Sequence, residues 1–234
     1  MSIALVANTK KQSTNGAAIT TDAIDTTGAT LLVVAVSQFA LAAGTPSDSK
    51  SNTWVAGGSQ NNSGNSIKMW YVTNPTVGTG HTFTVGVGNS YPSIFVVAFS
   101  GTDTSAARDQ ENSAAGSGTT IQPGSVTPTT NGQVLITGAA HDVGLSISYT
   151  IDSGFTITDQ APTVAAQAYG GGIAYLIQGS AASVNPTWTD STSDGVHMAV
   201  IETFKAAAGG ATVTYPQLER GRRGILRGVA MGAY

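Results

Sequence analysis

His81, His141 and His197 are the only imidazoles in the chain, and with the many Ser and Asp residues around them they are the first place to look for a nucleophile, a base and an orienting acid. No Gly-x-Ser-x-Gly elbow accompanies them. His81 sits at the start of a strand pattern, His141 precedes Asp142 in what reads as a loop, and His197 opens an apolar strand. Each reads as structural, so no catalytic residue is expected and the chain is not read as an enzyme. There is no His-Glu-x-x-His zinc helix, no Walker loop and no Rossmann fingerprint. Cysteine is absent, which removes disulfides and thiolate metal sites, and no cofactor is expected.

Oxygen-rich loops offer three places for calcium. Asp48 to Asn52 carries Lys50 where the third ligand should stand, Asp22 and Asp25 form a second option, and Asp190 to Gly195 is the best of the three, with Asp190 and Asp194 as weak candidate ligands. Ordinary turn chemistry accounts for all of them, so no metal is expected. For sugar, an aromatic platform is the usual device. Trp70 and Trp188 lie in strand patterns and belong to the core, whereas Trp54 and Tyr91 flank loops and form the possible glycan platform.

The clearest charge feature lies at the C-terminus. Residues 1–205 carry a net −6, while residues 206–234 hold Arg220, Arg222, Arg223 and Arg227 against Glu219, a net +3. Arginine suits bidentate pairing with carboxylate or phosphate. Ile225, Leu226 and Tyr234 add apolar surface that so short a segment cannot bury by itself. Gly224, Gly228 and Gly232 weaken any helix there. The sequence therefore predicts a linker and a basic Gly/Arg anchoring tail over 206–234, ordered against a partner. Four charges on so short a segment favour a protein groove over nucleic acid.

The elements that position these residues read as strands. Phe83, Val85 and Val87 alternate with polar or small residues, and Ile94 to Phe99 is wholly apolar, so His81 to Gly101 reads as two antiparallel strands joined by a tight turn, the second buried on both faces. Leu31 to Phe39 reads as a core strand, and Ile67 to Val72 as a strand with Trp70 and Tyr71 on opposite faces. Ile3, Leu5 and Ala7 suggest a short edge strand, and Gly57 to Gly64 a loop.

An echo recurs about a hundred residues later. Leu31-Leu32-Val33-Val34 corresponds to Val134-Leu135-Ile136-Thr137, Trp54 to Phe155, Met69-Trp70-Tyr71-Val72 to Ile173-Ala174-Tyr175-Leu176, Phe83 to Trp188, and the strand ending at Phe99 to the one ending at Phe204. The reading is all-β: a jelly-roll-like β-sandwich of about eight or more strands over 1–205, built from two similar four-strand halves, about 15–101 and 133–205. Residues 102–132 become a Ser/Gly/Thr/Pro-rich crossover with one edge strand.

Only 10% of residues are charged, which implies a neutral, hydroxyl-rich surface of the kind that works inside assemblies. Met1 to Asn15 lacks an apolar h-region and carries Lys10 and Lys11, so no signal peptide is expected. No apolar run approaches bilayer length, so no membrane partner is expected either.

Three pieces, Asp48 to Trp54, Gly78 to Thr84 and Ala98 to Gly101, in that order and followed by a Gly/Ser-rich stretch, resemble a β-sandwich domain of tailed-bacteriophage virion structural proteins and bacterial surface proteins. The resemblance covers roughly residues 15 to 205 and marks turns and strands, so it carries over no catalytic residue. It implies a virion location and a structural role, as a capsid decoration or cement protein or a fibre subunit. The implied partners are other virion subunits and further copies of the chain. Host adhesion through a surface glycan is the alternative that the same setting allows.

Overall fold

The computed structural model describes residues 2–39, 44–86, 91–142, 148–161, 169–191 and 195–208. Among them are sixteen strands and no helix. The first half holds β1 (Ala4–Gln12), β2 (Ile19–Thr20), β3 (Leu31–Phe39), β4 (Ser47–Asp48), β5 (Val55–Asn62), β6 (Asn65–Thr73), β7 (Phe83–Val85) and β8 (Ser93–Ser100). The second holds β9 (Arg108–Gly118), β10 (Thr120–Ile121), β11 (Gln133–Asp142), β12 (Tyr149–Ile151), β13 (Thr156–Ala161), β14 (Tyr169–Gln178), β15 (Trp188–Asp190) and β16 (Gly195–Phe204).

The two halves share one winding. The first forms a five-stranded sheet, β1-β8-β3-β6-β5, and a three-stranded sheet, β2-β7-β4; the second repeats both as β9-β16-β11-β14-β13 and β10-β15-β12. In each half the first strand pairs with the eighth, the second with the seventh and the third with the sixth. That is a long hairpin rolled up on itself, the jelly-roll winding. The repeated unit is thus eight strands, not four. The stretch 102–132 is more than a crossover: the edge strand expected there is β9, and with β10 it supplies the counterparts of β1 and β2. The polar lead before residue 15 likewise belongs to the first half, as the edge strand β1.

The large sheets pack face to face. Leu31, Val33, Met69 and Phe99 from one half meet Val134, Ile136, Ile173 and Phe204 from the other in one core. Two satellite cores, around Trp70 and Phe83 and around Trp188 and Tyr149, lie between each large sheet and its own small sheet. The order of layers is three, five, five and three strands. This explains why β8 reads as an almost unbroken apolar run and why β3, β11 and β16 are buried along most of their length: both faces of a large sheet are covered.

The winding also corrects two local readings. Residues 81–101 do not form a hairpin: β7 pairs with β2 and β4 in the small sheet, while β8 pairs with β1 and β3 in the large one. Alternation along each strand cannot reveal that the chain changes sheet between them. Residues 57–62 are strand rather than loop. Ser63 and Gly64, with φ of 48° and 87°, turn β5 directly into β6, with Asn62 opposite Asn65; two consecutive positive φ values are what a two-residue hairpin requires.

Small residues set the spacing between the halves. A Cβ on Gly171 of β14 would stand 2.6 Å from the Ala139 carbonyl oxygen and 3.2 Å from Ser37 Oγ of the other half. Gly171→Ala is therefore expected to cost about 1 to 3 kcal/mol by overpacking. A lowered urea midpoint with an unchanged m-value checks this, and an unchanged midpoint refutes it.

Candidate functional site

Three regions carry polar chemistry, and their elements place them at different parts of the sandwich. The first is the base, where β3 and β11 begin and β8 and β16 end. Thr102 bridges to Ala206, Ala207 N–H donates to Gly101 O at 2.8 Å and Asp103 N–H to Lys205 O at 2.9 Å. The space beside Gly101 is filled by Ser2, whose carbonyl oxygen would lie 2.3 Å from a Cβ there. The N-terminus, the junction between the halves and the start of the C-terminal segment thus converge.

A recess of about 370 Å³ opens at this point, lined by Asp103, Thr130, Asn131 and Lys205 to Ala208. Asp109 braces it, accepting from Thr129 N–H at 2.7 Å and Gln133 Nε2 at 2.6 Å, with Lys205 Nζ at 3.5 Å. Burial pushes the Asp109 carboxyl up, but these hydrogen bonds and Lys205 together hold it at about 2.

The second region is a cleft of about 360 Å³ where the edge strands of the two halves meet, lined by Gly57, Gly58 and Ser59 of β5 and Glu111, Asn112 and Ser113 of β9. A bulge between Ala56 and Ser59 bends β5 here, and a Cβ on Gly57 would collide with Glu202 Oε1 at 2.0 Å. Glu202 of β16, its side chain 0% exposed, accepts from Gly58 N–H and from Arg108 Nε at 3.1 Å. Arg108 also holds Glu111 through Nη2 and lies 5.8 Å over the Tyr71 ring. Burial raises the Glu202 pKa, and the Gly58 amide and Arg108 pull it partly back.

One guanidinium thus joins two carboxylates that stand opposite each other on adjacent strands. The three charged groups pair within the second half, and they reach the first half through the Gly58 N–H on Glu202 and the Tyr71 ring under Arg108. The signal for it in the sequence was Glu202 itself, a charge inside the apolar strand HMAVIETF, which the sequence reading passed over.

The third region is the buried histidines. His81 stacks on Phe83 at 4.3 Å and has both nitrogens bonded, Nδ1 with Thr26 Oγ1 at 2.9 Å and Nε2 with Asp48 Oδ1 at 3.0 Å. His141 lies within β11 rather than in a loop, bonded to the Tyr149 hydroxyl, and His197 is bonded to Asp190. Of these, only Thr26, His81 and Asp48 line up a hydroxyl, an imidazole and a carboxylate, and Thr26 and His81 are 0% exposed.

The residues expected to bind ligands are placed as follows. Trp54, expected as part of a glycan platform, is 8% exposed, packs edge-on against Phe83 and donates its indole N–H to Asp48 Oδ2 at 2.8 Å. An indole in the core offers no face to a sugar. Tyr91 is half-buried, with φ of 46°.

Asp48 is spent on Lys50 N–H, the Asn52 amide, Trp54 and His81. The Asp190 carboxylate bonds the buried His197. Asp194 lies outside the described residues, and so do Arg220, Arg222, Arg223, Ile225, Leu226, Arg227 and Tyr234. Among the described residues no three His, Asp or Glu side chains are placed to hold a metal, and no helix is long and apolar enough to cross a membrane.

The fold and these sites define a duplicated jelly-roll protein. Comparison with protein-family models, with curated proteins and with solved structures returns no match.

Proposed function

We propose that this chain is a structural subunit of a bacteriophage particle, a capsid decoration or fibre protein, docked through its basic C-terminal segment onto other virion subunits. The observation that carries the reading is the convergence of Ser2, Gly101 to Asp103 and Lys205 to Ala208 at one end of the sandwich. A sandwich anchored at that end can still present its opposite end. The division of charge supports the same polarity, with a net −6 over residues 1–205 and +3 over 206–234. An acidic body is repelled by an acidic shell, and a basic segment overcomes that repulsion. The interlocked Arg108–Glu202–Glu111 group and the buried histidines suit a rigid, non-catalytic building block.

Co-sedimentation with particles assembled without this protein tests the reading. The full-length chain is expected to pellet with the particles, less so at high salt, and the chain ending at Ala208 to stay in the supernatant. Equal binding by both, or by neither, removes the anchor.

A further inference from the structure

We propose that the outer sheet β10-β15-β12 of the second half is an acid-released element, latched by His141 and His197 against the large sheet, while the matching sheet of the first half is not. The two rings lie directly opposite each other on β11 and β16 and both are 1% exposed. Each has one bond to the outer sheet: His141 Nδ1 with the Tyr149 hydroxyl of β12, and His197 Nε2 with Asp190 of β15. His141 Nε2 and His197 Nδ1 have no hydrogen-bond partner.

The consequences of protonation follow from that geometry. With His141 neutral, the Tyr149 O–H donates to Nδ1. A proton on Nδ1 reverses the roles: the phenol must accept, its own O–H loses its acceptor, and Nε2 becomes a charged donor facing Gly170, with no acceptor bonded to it. Among the described residues, Asp190 is the carboxylate between the rings and the outer sheet, and it is bonded to His197, not to His141.

The titratable groups that face the rings from the packed elements are Tyr149 on β12 and Asp190 on β15; β14 brings Gly170, and β13 brings Gln160, whose Oε1 accepts from Tyr149 N–H at 2.7 Å. Burial, and then His197, lowers the His141 pKa to about 3. A base whose folded pKa lies below its unfolded value of about 6.5 stabilises the fold fully above that value, and the contribution is lost as the pH falls from 6.5 toward 3.

The first half is the internal control. At the position equivalent to His141, set by the register of β3 and β11, it has Gln38, which does not titrate. Its own histidine, His81, has Asp48 and Thr26 on its two nitrogens; burial lowers its pKa as well, but the Asp48 carboxylate on Nε2 offsets part of that, whereas His141 is bonded only to a phenol. Acid therefore strains the two outer sheets unequally.

Hydrogen exchange of the full-length chain at pH 7.5 and 4.5, corrected for the intrinsic pH dependence of exchange, tests this. Peptides covering 149–151 and 188–190 are expected to lose protection at least tenfold at pH 4.5, while those covering 47–48 and 83–85 keep theirs. His141→Gln, which places the first half's residue in the second, is expected to remove most of that loss. Parallel loss in both outer sheets, no loss in either, or an undiminished loss in a folded His141→Gln variant overturns the proposal. If that variant does not fold, the contrast between the two halves of the unmodified chain still decides.

Discussion

Phe204→Ala is expected to destabilise the whole protein by about 3 to 5 kcal/mol, and to do so in one transition that both halves share. Phe204 is fully buried and meets Tyr71 of the other half edge-to-face, with centroids 5.4 Å apart at 64°. The same contact recurs with the halves exchanged, where Phe99 meets Tyr175 at 5.2 Å and 67°. The four residues are two pairs of equivalents, Tyr71 with Tyr175 and Phe99 with Phe204, so the interface carries an approximate two-fold symmetry. Such pairs contribute about 1 kcal/mol beyond the area they bury. A double-mutant cycle with Tyr71→Ala and Phe204→Ala should recover a coupling of that order.

Because the central core draws on both large sheets, neither half has a complete core alone. Tryptophan emission reports on both halves, since Trp54 and Trp70 lie in the first and Trp188 in the second. Urea unfolding followed by fluorescence and by circular dichroism should coincide before and after the substitution. Two separated transitions would show that the halves are independent domains, and the account of the central core would fail.

Arg108→Ala is expected to cost about 3 kcal/mol at pH 7.5 and clearly less at pH 5. Removing the guanidinium leaves Glu202 as a buried carboxylate with only the Gly58 amide, and stranding a buried charge typically costs about 3 to 5 kcal/mol. The pH dependence has a definite sign. Burial already raises the Glu202 pKa, and without Arg108 it rises further, so the folded state takes up a proton that the unfolded state does not. Stability is then greatest below the unfolded carboxylate value and falls as the pH rises through the folded one.

Adding Glu202→Gln to Arg108→Ala should restore most of the loss at pH 7.5, because a neutral amide oxygen still accepts from Gly58 without bringing a charge. Urea denaturation of the three proteins at both pH values measures this. An equal loss at both, with no rescue by Glu202→Gln, would mean that Arg108 acts only by packing on Tyr71.

Much of the sandwich was legible. Leu31 to Phe39 is β3 as read, and the paired positions of the internal echo are equivalent in space. Trp54 and Phe155 are both 8% exposed, Phe83 and Trp188 both fully buried, and Tyr71 and Tyr175 occupy matching contacts. The sites were less legible. Trp54 flanks a loop in sequence, yet the turn over residues 48–52 brings Asp48 to its indole nitrogen and folds it inward. Arg108 lay in a stretch read as a crossover, and nothing near it in sequence names Glu202 as its partner.

The sequence by itself determined that the chain is all-β and duplicated, because side-chain alternation is a property of neighbouring residues and a repeat is visible at any distance. It also determined the uneven charge, with the basic residues of the last segment set against an acidic body. Only the tertiary structure decided that the repeated unit has eight strands, that β7 and β8 lie in different sheets, and that the two large sheets face each other around Phe99 and Phe204. It alone decided that His141 and His197 oppose each other beneath Tyr149 and Asp190. The physical reason is that strands pair through backbone groups common to every residue, so local pattern specifies that a strand forms and which of its faces is apolar. The choice of partner rests on long-range packing, which no stretch of the chain carries alone.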